Sequence, residues 1–188
     1  MKNYIVVIIF LFFSSLAFSY SEESEIDEEE LFQEATRIVK TFGGTLKPQL
    51  GAALKSGGPV HAIEVCSVVA PAIASDLTKK TGWNVRRVSL KSRNKTAIPD
   101  SWEVKVLKDF DKRQLAGETA KTMVYSGIIE GKYRFVKAQG VEPVCLKCHA
   151  SKVSAPIEAA LKEKYPNDLA RGYLLGQIRG AFSLVKKL

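Results

Sequence analysis

The sequence predicts an α+β fold in which N-terminal helices pack on an antiparallel sheet. Three observations predict it. Apolar residues recur at three and four before residue 80. Alternating runs dominate after residue 120. Two of those runs meet at Glu130-Gly131, a hairpin signal. Helices first and antiparallel strands later favour segregated layers over alternating βαβ units.

The elements follow in order. Residues 28–55 carry a helical stripe of Leu31, Ala35, Ile38, Val39, Phe42 and Leu46, with Gly43-Gly44 as a candidate interruption. Gly57-Gly58-Pro59 is punctuation, and Pro59 suits a first helical position. A second helix is expected from about 60 to 80, with Ile63, Val65, Cys66, Val69, Ile73 and Leu77 apolar and Pro71 as a candidate kink. Trp83 to Leu90 reads as a strand and Lys91 to Asp100 as a polar loop. Pro99 and Asp100 open a third helix through Leu115, with Trp102, Val106, Leu107 and Phe110 on one side. Residues 121–129 and 132–138 read as strands, 154–164 as a short helix, and 177–186 as a last strand.

Composition bounds the rest. The 188 residues are 46% hydrophobic and 26% charged, ordinary globular values that exclude wholesale disorder and a polytopic membrane protein. Three cysteines are too few for a disulfide framework. Residues 1–19 read as a cleaved signal peptide: Lys2, an apolar run from Tyr4 to Phe13, then Ala17-Phe18-Ser19. The run is shorter than the roughly 20 residues a membrane span needs, so membrane association is expected only if the signal stays uncleaved. Residues 20–30 form an acidic leader, with Asp27 to Glu30 suited to a first helical turn. Residues 31–188 are the main domain, holding 27 basic and 13 acidic residues, a net +14. The export signal places this basic body in the periplasm, away from nucleic acid, and leaves an acidic partner or cofactor as its counterpart.

Cys145-Leu146-Lys147-Cys148-His149 is C-x-x-C-H, the attachment pattern of one covalent haem c. Two thiols one helical turn apart match two vinyl groups along a porphyrin edge, and the following imidazole is held over the iron. Covalent haem attachment requires export, and an export signal is present. Two other readings of the cysteines compete. A redox dithiol wants a thioredoxin-like context that does not precede Cys145. A Cys₃His zinc site would combine Cys145, Cys148, Cys66 and His61.

Cys66 is the odd cysteine, and it is either a small buried hydrophobe or a thiolate bound to iron opposite His149. Other sixth-ligand candidates are Met123, a lysine or water. Haem propionates need paired donors when buried, which singles out Arg86, Arg87, Arg93 and Arg179. Strand alternation allows only one of Arg86 and Arg87 to reach the cofactor from that strand. Arg86 and Arg93 are the two selected. Trp83, Tyr133, Tyr165, Tyr173 and Phe135 are candidate porphyrin walls, or else ordinary core.

Three blocks then resemble a known family. They are Ala62-Ile63-Glu64-Val65-Cys66 to Ala74; Gly82-Trp83-Asn84-Val85-Arg86-Arg87-Val88-Ser89-Leu90-Lys91 with Arg93-Asn94, Pro99-Asp100 and Trp102-Glu103; and Val144 to His149 with Tyr165-Pro166-Asn167-Asp168, Ala170, Gly172-Tyr173, Gly176 and Ile178-Arg179-Gly180-Ala181. The chain resembles the single-haem, PAS-like c-type haem domain long described as a domain of unknown function. The resemblance covers about residues 60–185. It implies a PAS-like fold and iron ligation by His149 and Cys66. Ala150 stands where the family pattern often has glycine. Relatives often carry the domain beside a signalling module such as a histidine kinase, and this chain reaches Leu188 without one.

The functional expectation is an exported mono-haem cytochrome that senses redox state or a diatomic gas such as CO or NO, and acts on a signalling partner. The alternative is a periplasmic electron carrier docking to an acidic redox partner. A sulfur-compound-handling haem enzyme ranks third, since no other catalytic machinery stands out.

Overall fold

The computed structural model describes residues 27–188. The signal peptide at 1–19 and most of the acidic leader lie outside the described residues. Asp27 caps the first helix by accepting from the Glu30 amide, and Glu28, Glu29 and Glu30 fill its first turn. The last acids of that stretch thus belong to the helix, as their fit to a first helical turn predicts.

Helix α1 (Glu28–Thr81) is broken once, at Gly58 (φ 69°, ψ −164°). The backbone there is left-handed, which glycine adopts without Cβ strain. Pro59 restarts the helix because its missing N–H would be unpaired anyway. The helix runs on through Gly43-Gly44 and Pro71, so neither interrupts it. Ala35, Ile38 and Phe42 of the first arm share one core cluster with Ile73 and Leu77 of the second. The second arm thus returns along the first. Gly82 ends the helix in the left-handed region (φ 74°), its amide donating to the Thr78 carbonyl.

Strands β1 (Asn84–Val88), β2 (Val124–Ile129), β3 (Lys132–Gly140) and β4 (Ile178–Lys187) form one antiparallel sheet in the order β1-β4-β3-β2. Alternation gives the sheet two buried faces. Val85, Tyr133, Phe135, Phe182 and Leu184 meet α1 on one face. Val88, Val136, Ala138 and Ala181 meet helix α2 (Ser101–Leu115) on the other, through Val106, Leu107 and Phe110. Fully burying a side chain such as Phe42 or Phe110 contributes about 2–3 kcal/mol each.

Helix α2 starts on a capping box. Asp100 accepts from the Glu103 amide, and Glu103 accepts from the Asp100 amide. The Glu103 carboxylate is 1% exposed and also accepts from Arg86 and Ser183. One buried carboxylate so ties α2 to β1 and β4. The short α3 (Leu146–His149) and α4 (Ala155–Lys164) follow β3.

Candidate cofactor site

A cavity of about 270 Å³ opens between the two arms of α1, the end of the sheet and the C-x-x-C-H segment. Leu46, Leu50, Leu54, Ile63, Ala70 and Pro71 give it an apolar wall from α1. Cys66 lines it from the second arm. Cys145, Cys148 and His149 line it from the other side. Cys145 closes a 3-10 turn (Pro143–Cys145), and Cys148 and His149 sit on α3, so the two thiols are one turn apart. All three cysteines are free and half-buried.

His149 is held by its backbone and its ring. The Tyr173 amide donates to its carbonyl (3.0 Å). Its Nδ1 lies 2.8 Å from the Ala170 carbonyl, which only accepts, so Nδ1 carries the proton. That leaves Nε2 as the acceptor, and Arg179 Nη1 donates to it at 3.3 Å. Burial first, then the charges of Arg179 and Arg93, push the imidazole down to about 2, so the ring is neutral at ordinary pH. A neutral imidazole whose Nδ1–H is fixed by a carbonyl is the form that ligates a metal.

Four arginines line the cavity, and the guanidinium of one of them, Arg86, is spent on Glu103 on the α2 side. Arg93 is anchored: it donates to Asp168 (3.0 Å) and to the carbonyls of Cys148 (2.7 Å) and Ala170 (3.3 Å). It thereby straps the motif to the loop after α4. Arg87 and Arg179 are different. Among the described residues neither forms an ion pair. Arg87 donates to Gln139 (2.8 Å) and packs over Phe182, and the Nε of Arg179 is buried without a partner. Burial and the charge of Arg179 pull Arg87 down to about 9. Buried guanidinium groups without acids are costly unless an anion pairs with them.

Arg179 points here because of a β-bulge. Gln139 faces Gly180 and Gly140 faces Ile178, leaving Arg179 as the extra residue of β4. A bulge re-aims one side chain. Gly180 permits it: at φ 150°, a Cβ would lie 2.4 Å from the Val88 carbonyl oxygen.

The expected site residues divide. Cys66, Cys145, Cys148, His149, Arg93 and Tyr165 share the cavity wall, with Arg93 over the Tyr165 ring (5.8 Å). Tyr173 lies behind His149, ring edge to ring at 6.1 Å, and lines a neighbouring smaller cavity instead. Arg86 lines the cavity beside Arg87. The two side chains leave opposite faces of β1, and that of Arg86 goes to Glu103 and the Ile98 carbonyl on the α2 side. Trp83 and Tyr133 are corrected to core: they pack edge to face at 6.0 Å beneath α1 and line no part of the cavity, and Phe135 lies with them. Met123 is fully buried on the α2 face, away from the cavity.

His61 is half-exposed beside Glu64 and does not line the cavity. Among the described residues no three of His, Cys, Asp and Glu gather as a metal-holding group, so the Cys₃His zinc set is not assembled. Gln139 and the Ala170 carbonyl were not expected. Arg179-Gly180 inside an alternating run is the signal for the bulge, since an isolated strand glycine marks a bulge or a close backbone approach.

No curated protein matches the chain. Among solved structures, the crystal structure of the cyanobacterial heme-protein Tll0287 shares its fold, with a TM-score of 0.64 and 24% identity over 85% of this chain and 95% of that one. The family model described as Tll0287-like matches residues 19–186, and the chain belongs to that family.

Proposed function

We propose that this protein is an exported single-haem c-type cytochrome that senses redox state or a diatomic gas. The observation that carries the reading is a single cavity wall. It brings together a neutral, carbonyl-fixed His149, two thiols one turn apart, a third thiol from α1, and two arginines without acidic partners. These residues fit a haem. Cys145 and Cys148 would hold it covalently, His149 Nε2 and Cys66 Sγ would bind its iron, and Arg87 and Arg179 would pair with the propionates. The apolar α1 wall would cover the porphyrin face and exclude water. When bound, the group supplies one-electron redox chemistry and, with one ligand released, a site for a small gas.

The match to a fold-mate described as a heme-protein supports the cofactor class. The sheet with helices on both faces supports a PAS-like sensor frame. Cys66 lies eight residues beyond the Gly58 break, so its release would be felt by the arm nearest the N-terminus. Burial and the charges of Arg179 and Arg93 keep the His149 ring neutral, and the Ala170 carbonyl fixes it, which favours Cys66 as the ligand that leaves.

An absorption spectrum of purified protein tests the reading, taken ferric, then dithionite-reduced, then with CO. A c-type haem that is low-spin when ferric and takes CO only when reduced is the expected result. A haem that keeps both ligands in both states and refuses CO would favour the electron carrier. A colourless protein would defeat both.

A further inference from the structure

The segment after α4 straps the C-x-x-C-H motif to the sheet. The Leu169 amide donates to the Ser92 carbonyl, the Tyr173 amide to His149, and the Gly176 amide to Val141, while Val141 donates back to Gln177. Ala170 and Tyr173 turn inward and pack with Val141 against Cys145 and Leu146. The same segment turns Leu169, Leu174 and Leu175 outward, at 62%, 68% and 62% exposure. Val144, one residue before the motif, is 37% exposed and lines the cavity. Isolated exposed leucines need no explanation. Three within seven residues, tied by backbone bonds to the cofactor motif, form a patch of the kind that marks an interaction site.

Basic side chains flank the motif on its C-terminal side, and the one acid just before it, Glu142, is paired with Lys47. Lys147 and Lys152 are exposed in and just after the motif, and Lys147 lines the cavity. The domain carries a net +14 over residues 31–188, so two copies would repel each other. An acidic partner meets no such penalty.

We infer that Leu169, Leu174, Leu175 and Val144, rimmed by Lys147 and Lys152, are the docking surface for an acidic one-electron redox protein. The inference rests on the haem reading above. The lysines steer the encounter and the leucines hold it, as in other interfaces where charge sets the on-rate and apolar contact the lifetime. One electron passes from the partner's reduced centre to the ferric iron; the partner is oxidised and the iron reduced. No bond forms or breaks at this surface. The position suits the task, because the segment that carries the leucines is bonded through the Tyr173 amide to the His149 carbonyl of the motif.

Stopped-flow reduction of the haem-loaded chain tests it, with a reduced acidic [2Fe–2S] ferredoxin as probe and dithionite as the small reductant. Leu174→Ser/Leu175→Ser and, separately, Lys152→Glu should each lower the ferredoxin rate about tenfold and leave the dithionite rate within about twofold. The parent's ferredoxin rate should fall as salt rises. Ferredoxin rates that ignore both variants and salt would overturn the inference. So would a parent dimer in sedimentation that Leu174→Ser/Leu175→Ser dissolves, because the occupant would then be a second copy. Failure of the haem reading is separable: it appears as a parent with no haem band, before any kinetics are run.

Discussion

Cys66 sits on an apolar helix arm, where burial pushes its thiol up and the charges of Arg87, Arg179 and Arg93 pull it down. A thiolate there is costly without a cation, so ligation and ionisation should appear together. Cys66→Ser should fold and still attach haem through Cys145 and Cys148. Its ferric EPR spectrum should lose low-spin thiolate features and its potential should rise. A spectrum and potential equal to the parent's would make Cys66 a core residue. Arg87 gives the complementary test. Arg87→Met removes a buried charge without an acid, so the haem-free chain should gain about 1 kcal/mol, while the haem-loaded chain should lose stability. Urea midpoints of both forms check this. The motif cysteines, His149 and Cys66 were legible as residue types in a spacing. The pairing of Arg86 with Glu103 was not, because alternation says that Arg86 and Arg87 diverge and not what each one meets.

Two elements carry the site. The bulge in β4 aims Arg179, and it depends on Gly180. Gly180→Ala would place a Cβ against the Val88 carbonyl at a backbone angle that side chains avoid. The expected loss is about 2–3 kcal/mol in chemical denaturation, with part of the cost in β1–β4 pairing. On the other face, Glu103 joins α2 to β1 and β4 through Arg86 and Ser183. Glu103→Ala strands those donors and should cost about 3 kcal/mol, and Glu103→Gln less, since an amide oxygen still accepts. Most elements were visible in the sequence as periodicity and turn signals: Pro99-Asp100 announces α2, and Glu130-Gly131 announces the β2–β3 turn. The bulge escaped because a register shift is set by the partner strand. The return of the second α1 arm escaped because a glycine break shows where a helix bends and not by how much.

At the scale of the whole molecule, the two-faced sheet was only half legible. Segregated helices and strands predict α+β, but nothing in the α2 stripe says that it takes the face opposite α1. The acid response follows from carboxylates held below their ordinary range. Hydrogen bonds from the Glu103 amide and Arg134 lower Asp100 against the opposing effect of burial, and Arg113 lowers Glu118 to about 2. A depressed carboxylate contributes stability that is complete above its unfolded value and is lost as pH falls through its folded value. Because the buried His149 imidazole also stays neutral down to about 2, circular dichroism of the haem-free chain should show stability that begins to fall below about pH 7, where an unfolded histidine takes a proton, and falls more steeply below about 5 as the carboxylates protonate. The haem reading predicts a change that no packing account does, and the intact mass of mature protein from an export-competent host measures it. The expected mass is that of the chain cleaved near residue 20 plus one haem, retained in acid and denaturant. A colourless chain of unmodified mass, with three titratable thiols, would contradict the central claim.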